Sequence, residues 1–172
     1  MSSIGKIFSG LTGQTPRPIK EKNKVHENEN LVIIFYDYKK SNSYLSVLND
    51  ANANGLRQLI FPPNRFSKVI KNLSELNFKV KNIEFDPPLN QEDQLSINKT
   101  LVEGIIEENF IKIHDEISFY NSEQDSIPKK LSFMSKNGNY YSLFNNGVIS
   151  IEEEEDVGEL NPFLTTLKGG GF

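Results

Sequence analysis

The sequence predicts an α+β fold: a mixed sheet with two main helices, then a C-terminal antiparallel β-meander, flanked by extended terminal arms. Residues 31–36, LVIIFY, form a continuous β-branched and aromatic run, the pattern of a strand buried on both faces. Segments 64–77 and 90–110 repeat apolar side chains at helical spacing. Beyond residue 130 apolar residues alternate, and Asn137–Gly138 and Asn146–Gly147 supply the dipeptide that tight hairpins favour. On these grounds residues 1–30 are expected as a basic N-terminal arm, 31–152 as a single domain, and 153–172 as an acidic linker with a short amphipathic tail.

In chain order, Ile4, Ile7, Phe8 and Leu11 fall at helical spacing and make one short apolar stripe. So short a stripe is marginal in water and needs a surface to lie on. Residues 12–30 are rich in charge and nearly free of large apolar side chains, so they cannot offset their own ordering entropy. The strand at 31–38 is the first firm element. Tyr44, Leu45, Val47 and Leu48 follow in a short helix or irregular connection, stopped by an Asn/Asp/Gly cluster. LRQLIF (56–61) reads as a second strand, broken by Pro62 and Pro63. The helix over 64–77 places Phe66, Val69, Ile70, Leu73 and Leu76 on one side, with Arg65, Lys68 and Lys71 elsewhere.

Phe78, Val80, Ile83 and Phe85 indicate a third strand, ended by Asp-Pro-Pro. Leu95, Leu101, Val102, Ile105 and Ile106 mark the second main helix, with Glu92 and Asp93 at the end where the helix dipole favours acids. Ile111, Ile113, Ile117 and Phe119 share an alternation interrupted at Asp115, which reads as a strand. Leu131, Phe133, the run NYYSLF and the run VISI then complete the meander.

A chain of 172 residues is long enough for one domain with a real core. Its 37% hydrophobic content and mean hydropathy of -0.46 lie below the globular norm because both ends are polar. With no cysteine, disulfides, thiolate catalysis and Cys-ligated metal sites are excluded. The opening residues lack the continuous apolar core of a secretory signal, and the longest apolar run is strand-sized. A cytoplasmic protein without a membrane partner is the expectation, or a virion component if the chain is viral.

The net charge of -4 hides blocks of opposite sign. Residues 1–24 hold Lys6, Arg17, Lys20, Lys22 and Lys24 against Glu21. Residues 57–82 hold Arg57, Arg65, Lys68, Lys71, Lys79 and Lys81 against Glu75, and residues 83–126 set eleven acids against Lys99 and Lys112. Such segregation can aim a molecule at a partner or at a copy of itself.

Catalytic chemistry has little to stand on. His26 and His114 are the only imidazoles, and His114 precedes Asp115 and Glu116 in a strand-like stretch. Acid–base catalysis needs carboxylates in contrasting environments at a matched distance, whereas neighbours in sequence generally point apart. The glycines at 169–171 have no following helix with which to cradle phosphate. A non-enzymatic chain without cofactor or metal is expected; a small enzyme centred on His114 is a further alternative.

Single-strand nucleic-acid binders combine a cationic groove with exposed rings. Arg57, Arg65, Lys68, Lys71, Lys79, Lys81 and Tyr140 are the candidates for that role, since alternation turns one of Tyr140 and Tyr141 away from the core. The overall acidity opposes phosphate affinity. Glu152–Asp156 with the terminal Phe172 resemble the C-terminal tails of some bacterial and phage single-stranded DNA-binding proteins, in which the Phe docks into partner proteins. Here Lys168 and three glycines separate the acids from Phe172, where that pattern sets acids against the last residue. The resemblance implies an accessory protein with an acidic regulatory tail.

The C-terminal residues carry helix signals of their own. Asn161 suits an N-cap, Pro162 the first helical position, and Lys168 and Gly169 the end. Leu160, Phe163, Leu164 and Leu167 line one side, and so short a helix needs either its own domain or a groove on another chain. The preferred expectation is an assembly subunit whose terminal arms bind a protein partner, copies of itself or a larger complex, a viral or phage particle among them. Its partner-binding residues are Ile4, Ile7, Phe8, Leu11, Leu160, Phe163, Leu164, Leu167 and Phe172.

Overall fold

The computed structural model describes residues 2–10 and 14–167. Its elements run β1 Ser3–Ser9, α1 Arg17–Lys22, β2 Val25–Asn28, β3 Leu31–Tyr36, α2 Ser43–Ala53 and β4 Arg57–Gln58, then α3 Phe66–Glu75, β5 Lys79–Asp86 and α4 Gln91–Ile106. α5 Phe110–Gln124, β6 Ile127–Met134, β7 Tyr140–Phe144, β8 Val148–Ile151 and α6 Asn161–Leu167 complete the chain, with short 3₁₀ segments before α3 and α6. The protein is α+β, with antiparallel strand pairing. It divides into two compact units: Met1–Ile60 with Asn146–Phe172, and Phe61–Asn145 between them in sequence.

In the first unit the strand order is β2-β3-β1-β8, and β4 pairs with β1 at Phe8↔Gln58. β1 is therefore a central strand, running from Ile4↔Tyr36 to Ser9↔Leu31 against β3 and from Ser3↔Ile151 to Lys6↔Val148 against β8. The expected N-terminal arm is corrected on this point. Its apolar spacing fits a helix, but Ile7 and Phe8 are buried on opposite faces of a strand, and Phe8 packs with Ile19, Val32, Ile34, Val47, Ala51 and Leu56. Gly5 permits the pairing, because a Cβ there would lie 2.4 Å from Ile33 Cγ2. The polar residues that followed are ordered by one another: Glu27 accepts from Lys20 Nζ at 2.8 Å and from the Thr15 backbone N–H at 3.0 Å.

The C-terminal segment belongs to the same unit. Leu160, Phe163, Leu164 and Leu167 are all buried, and β2 holds the first turn of α6. Asn28 Nδ2 donates to Asn161 O and to Thr165 Oγ1, both at 3.2 Å, and His26 Nε2 lies 2.6 Å from Asn161 Oδ1. Asn161 is thus the first helical residue after a 3₁₀ segment rather than an N-cap, and its side chain binds β2 instead of the helix end.

In the second unit β5, β6 and β7 pair in that order. Val80, Phe133 and Tyr141 share one face, with the rings of Phe133 and Tyr141 stacked at 5.5 Å and Phe78 edge-on to both. Buried residues from the helices complete the core: Phe66, Val69, Ile70 and Leu73 of α3, Ile97 and Leu101 of α4, and Ile113, Ile117 and Tyr120 of α5. The strand expected at 111–119 is corrected to α5. Ile113, Ile117 and Tyr120 are spaced as one helical face, while exposed Ile111 and Phe119 produced the appearance of alternation. α4 and α5 cross closely at Gly104, where a Cβ would meet Ile113 Cγ1 at 2.8 Å. The second expected strand, LRQLIF, contributes only Arg57–Gln58 to pairing. The β6–β7 hairpin has its glycine in place, but Gly138 alone turns to positive φ, so the loop differs from the two-residue type I′ turn.

Candidate functional site

The described members of the expected partner-binding set are occupied within the chain. Ile7, Phe8, Leu160, Phe163, Leu164 and Leu167 are buried and Ile4 is half-buried, while Leu11 and Phe172 lie outside the described residues. A side chain that fills its own core is not available to a neighbour, so the buried anchors among the described residues do not form an exposed site.

The cationic set is dispersed. Arg57 sits on β4 of the first unit; Arg65 lies in the 3₁₀ turn before α3, and Lys68 and Lys71 ride on α3, Lys71 3.9 Å from Glu75. Lys79 and Tyr140 are brought into one row, because both register on Met134 across β5, β6 and β7. Tyr140 is 51% exposed and Tyr141 only 2%, the division that alternation predicts. Lys81 falls at a register shift between Val80 and Asn82 and stands out of that row.

His114 lies on α5, not on a strand. Its Nδ1 is 3.4 Å from Ser67 Oγ and its Nε2 3.5 Å from Ser118 Oγ, at the long limit of hydrogen bonding. The carboxylate nearest in sequence that forms a network goes elsewhere: Glu116 accepts from Tyr120 Oη at 2.7 Å and from Ser96 Oγ at 2.8 Å. Burial raises the Tyr120 phenol well above its usual value, so it is a proton donor in this network throughout the neutral range. The described residues hold no group of three His, Asp or Glu placed for a metal ion, and none of their helices is long and apolar enough to cross a membrane.

A different surface emerges on α4 and α5. Leu95 is 62% exposed, Val102 57%, Ile106 77% and Ile111 73%. At about 100° per residue, Leu95, Val102 and Ile106 lie on the side of α4 opposite buried Ile97, Leu101 and Gly104. Leu95, Val102 and Ile106 share with Leu101 the spacing that marks the helix, but α4 carries two apolar stripes, and only one faces inward. Around the outer stripe the charge is acidic. Lys99 and Lys112 are both engaged by Glu103, at 3.8 and 3.1 Å, whereas Glu92, Glu107, Glu108 and Asp115 are exposed with no cationic partner among the described residues. The signal that could have found this surface was an excess of apolar residues: α4 has more than one helix face can bury.

One titratable side chain is sealed inside the first unit. Lys6 is fully buried on β1, with Nζ donating to Leu59 O at 2.9 Å and to Asn146 O, and 5.8 Å from the Phe8 ring centroid. Loss of hydration lowers it from 10.5 to about 8. It ties β1 to the chain after β4 and to the turn before β8, both through backbone carbonyls.

No protein-family model, curated protein or solved structure matches the chain.

Proposed function

We propose that the chain is a non-enzymatic interaction subunit of a larger assembly, and that it docks through α4–α5 rather than through its termini. The outward stripe of Leu95, Val102 and Ile106 carries this reading, since a helix in water gains nothing from apolar residues opposite its buried face. Covering each of these side chains contributes about 1–2 kcal/mol, so a partner must cover several at once. A second copy would set the acidic hairpin against itself. The occupant is therefore an amphipathic helix of a partner protein, with leucine-like residues on the stripe and lysine or arginine toward Glu92, Glu107, Glu108 and Asp115.

Fluorescence anisotropy with a labelled Leu/Lys amphipathic peptide tests this directly. Binding is expected to weaken by about tenfold or more in the Val102→Ser/Ile106→Ser variant, the loss of two apolar contacts. A Leu/Glu peptide of the same pattern is expected not to bind. Equal binding by the double variant or by the acidic peptide overturns the reading, as does dimerisation of the unliganded protein through this face in light scattering.

A further inference from the structure

We propose that the first unit holds a nucleotide site in the cleft between the end of β3, the start of β1 and α2. The cleft has a volume of about 700 Å³, within the range of small-molecule sites, and continues around Tyr36, Tyr38 and Lys39 into a second recess of about 510 Å³ that adds Tyr44. Its floor is apolar, with Ile4, Phe35 and Val47 contributing. This surface is independent of α4–α5 and of the docking reading.

Three kinds of group meet there, each suited to one part of a nucleotide. The first is aromatic. Tyr38 is 51% exposed at the mouth, and the half-buried Tyr36 and Tyr44 rings lie 5.4 Å apart. An exposed phenol ring stacks on a planar base of any identity. The second is cationic. Lys22 is held by Asp50 at 3.6 Å and Lys24 by Glu154 at 3.4 Å, which leaves Lys39 and Lys40 with no carboxylate partner among the described residues. Lys39 Nζ already lies 6.0 Å from the Tyr38 ring centroid, so cation and ring are adjacent. The third is anionic: the Asp50 and Glu154 carboxylates line the same cleft and can accept from ribose hydroxyls or a base amino group.

The loop that presents Tyr38, Lys39 and Lys40 is organised in advance. Asp37 Oδ1 accepts the Lys39 backbone N–H at 3.0 Å, Asp37 O accepts from Lys40 N at 3.0 Å and from Ser43 Oγ at 2.5 Å, and Ser43 N donates to Lys40 O at 3.2 Å. Ordering entropy for these residues is thus met by the fold rather than by the ligand. The carboxylates also set the size of the ligand. A run of phosphates along the cleft would face Asp37, Asp50 and Glu154, on a protein whose net charge is -4, whereas a single phosphate cluster at Lys39 and Lys40 avoids them. The ligand class is a nucleoside mono- or diphosphate, not a polymer.

Isothermal titration calorimetry of the full chain with AMP, GMP and UMP tests the site, with adenosine and inorganic phosphate as partial ligands and oligo(dT) as the polymer. At least one mononucleotide is expected to bind, and to bind about tenfold tighter than either partial ligand, since ring and phosphate contacts add. Tyr38→Ala and the Lys39→Gln/Lys40→Gln pair should each weaken binding by about tenfold, and Tyr38→Phe should not. All three positions are exposed, and circular dichroism of each variant checks that a loss of binding is not a loss of folding. No binding by any mononucleotide, binding indifferent to both variants, phosphate as tight as nucleotide, or oligo(dT) tighter than a mononucleotide each overturns the proposal.

Discussion

Replacing Lys6 with methionine should remove a specific alkaline dependence of stability. Burial holds the Lys6 ammonium at about 8 in the folded protein against 10.5 in the unfolded chain. Between those values the unfolded state binds more protons, so wild-type stability rises with pH. The full difference corresponds to about 3 kcal/mol, present as a penalty below pH 8, with about 2–3 kcal/mol of it relieved by pH 10. Methionine keeps the stem in the core and carries no charge, but it leaves Leu59 O and Asn146 O without their donor, at about 1–3 kcal/mol each. Near pH 7 the two effects oppose one another, and the variant should unfold within a few kcal/mol of wild type. By pH 10 it should have lost about 2–3 kcal/mol relative to wild type. Urea denaturation followed by circular dichroism at unit steps from pH 7 to 10, at constant ionic strength, reads the difference. The window stops there because the Tyr36 phenol, which burial raises to about 12, adds a pH dependence of its own at higher pH. Parallel pH profiles for the two proteins would show that Lys6 is not desolvated as the structure requires.

On the acid side, Glu27→Gln should lower stability at pH 7, since bonds from Lys20 and Thr15 hold the Glu27 carboxyl down to about 2. With solvent screening at this half-exposed site the effect is about 1–2 kcal/mol, present above pH 4.5 and lost as the pH falls toward 2, measurable by urea melts at pH 3 and 7. Gly104→Ala should destabilise by about 1–3 kcal/mol in thermal melts, because the added methyl enters the α4–α5 crossing at 2.8 Å from Ile113 Cγ1. Phe163→Ala should cost about 3–5 kcal/mol by denaturation, the loss expected for a fully buried ring, and an unchanged midpoint would return α6 to the role of a free arm.

Legibility in the sequence followed the range of the interaction. The helix at α3, the start of α4 and the β6–β7 hairpin rest on local signals: an apolar stripe, Glu92 and Asp93 at an N-terminus, and a glycine at a turn. β1 was not legible, because Ile4, Ile7 and Phe8 satisfy helical spacing and a doubly buried strand equally well. Only partners more than twenty residues away, in β3, and near the opposite end of the chain, in β8, decide between them. α5 failed for a related reason, since exposed Ile111 and Phe119 completed a false alternation with Ile113 and Ile117. The tyrosine–lysine cleft was missed because YDYKKSNSY carries no motif; its chemistry appears only when β3 and α2 set those residues around one hollow.

The charge blocks visible in the sequence have different fates, and that difference locates the acidic field. The basic block at 1–24 is largely neutralised within its own unit: Lys20 pairs with Glu27 at 2.8 Å, Lys22 with Asp50 at 3.6 Å, Lys24 with Glu154 at 3.4 Å and Arg17 with Glu21 at 2.8 Å. The acidic block is less fully paired: Glu84 meets Lys130 at 2.9 Å, but the helical part of the block has few cations. Lys99 and Lys112 both turn to Glu103, so a single acid takes both cations, and Glu92, Glu107, Glu108 and Asp115 stay exposed with no cationic partner among the described residues. Apolar residues and unbalanced acids therefore coincide on one helical hairpin. An oppositely charged partner would be steered to it and then held by burial, and the steering should fade as salt shortens the screening length to about 8 Å. Association rates with the Leu/Lys peptide should fall steeply with salt while dissociation rates move little, whereas for a contact made by the apolar stripe alone the association rate would not fall with salt.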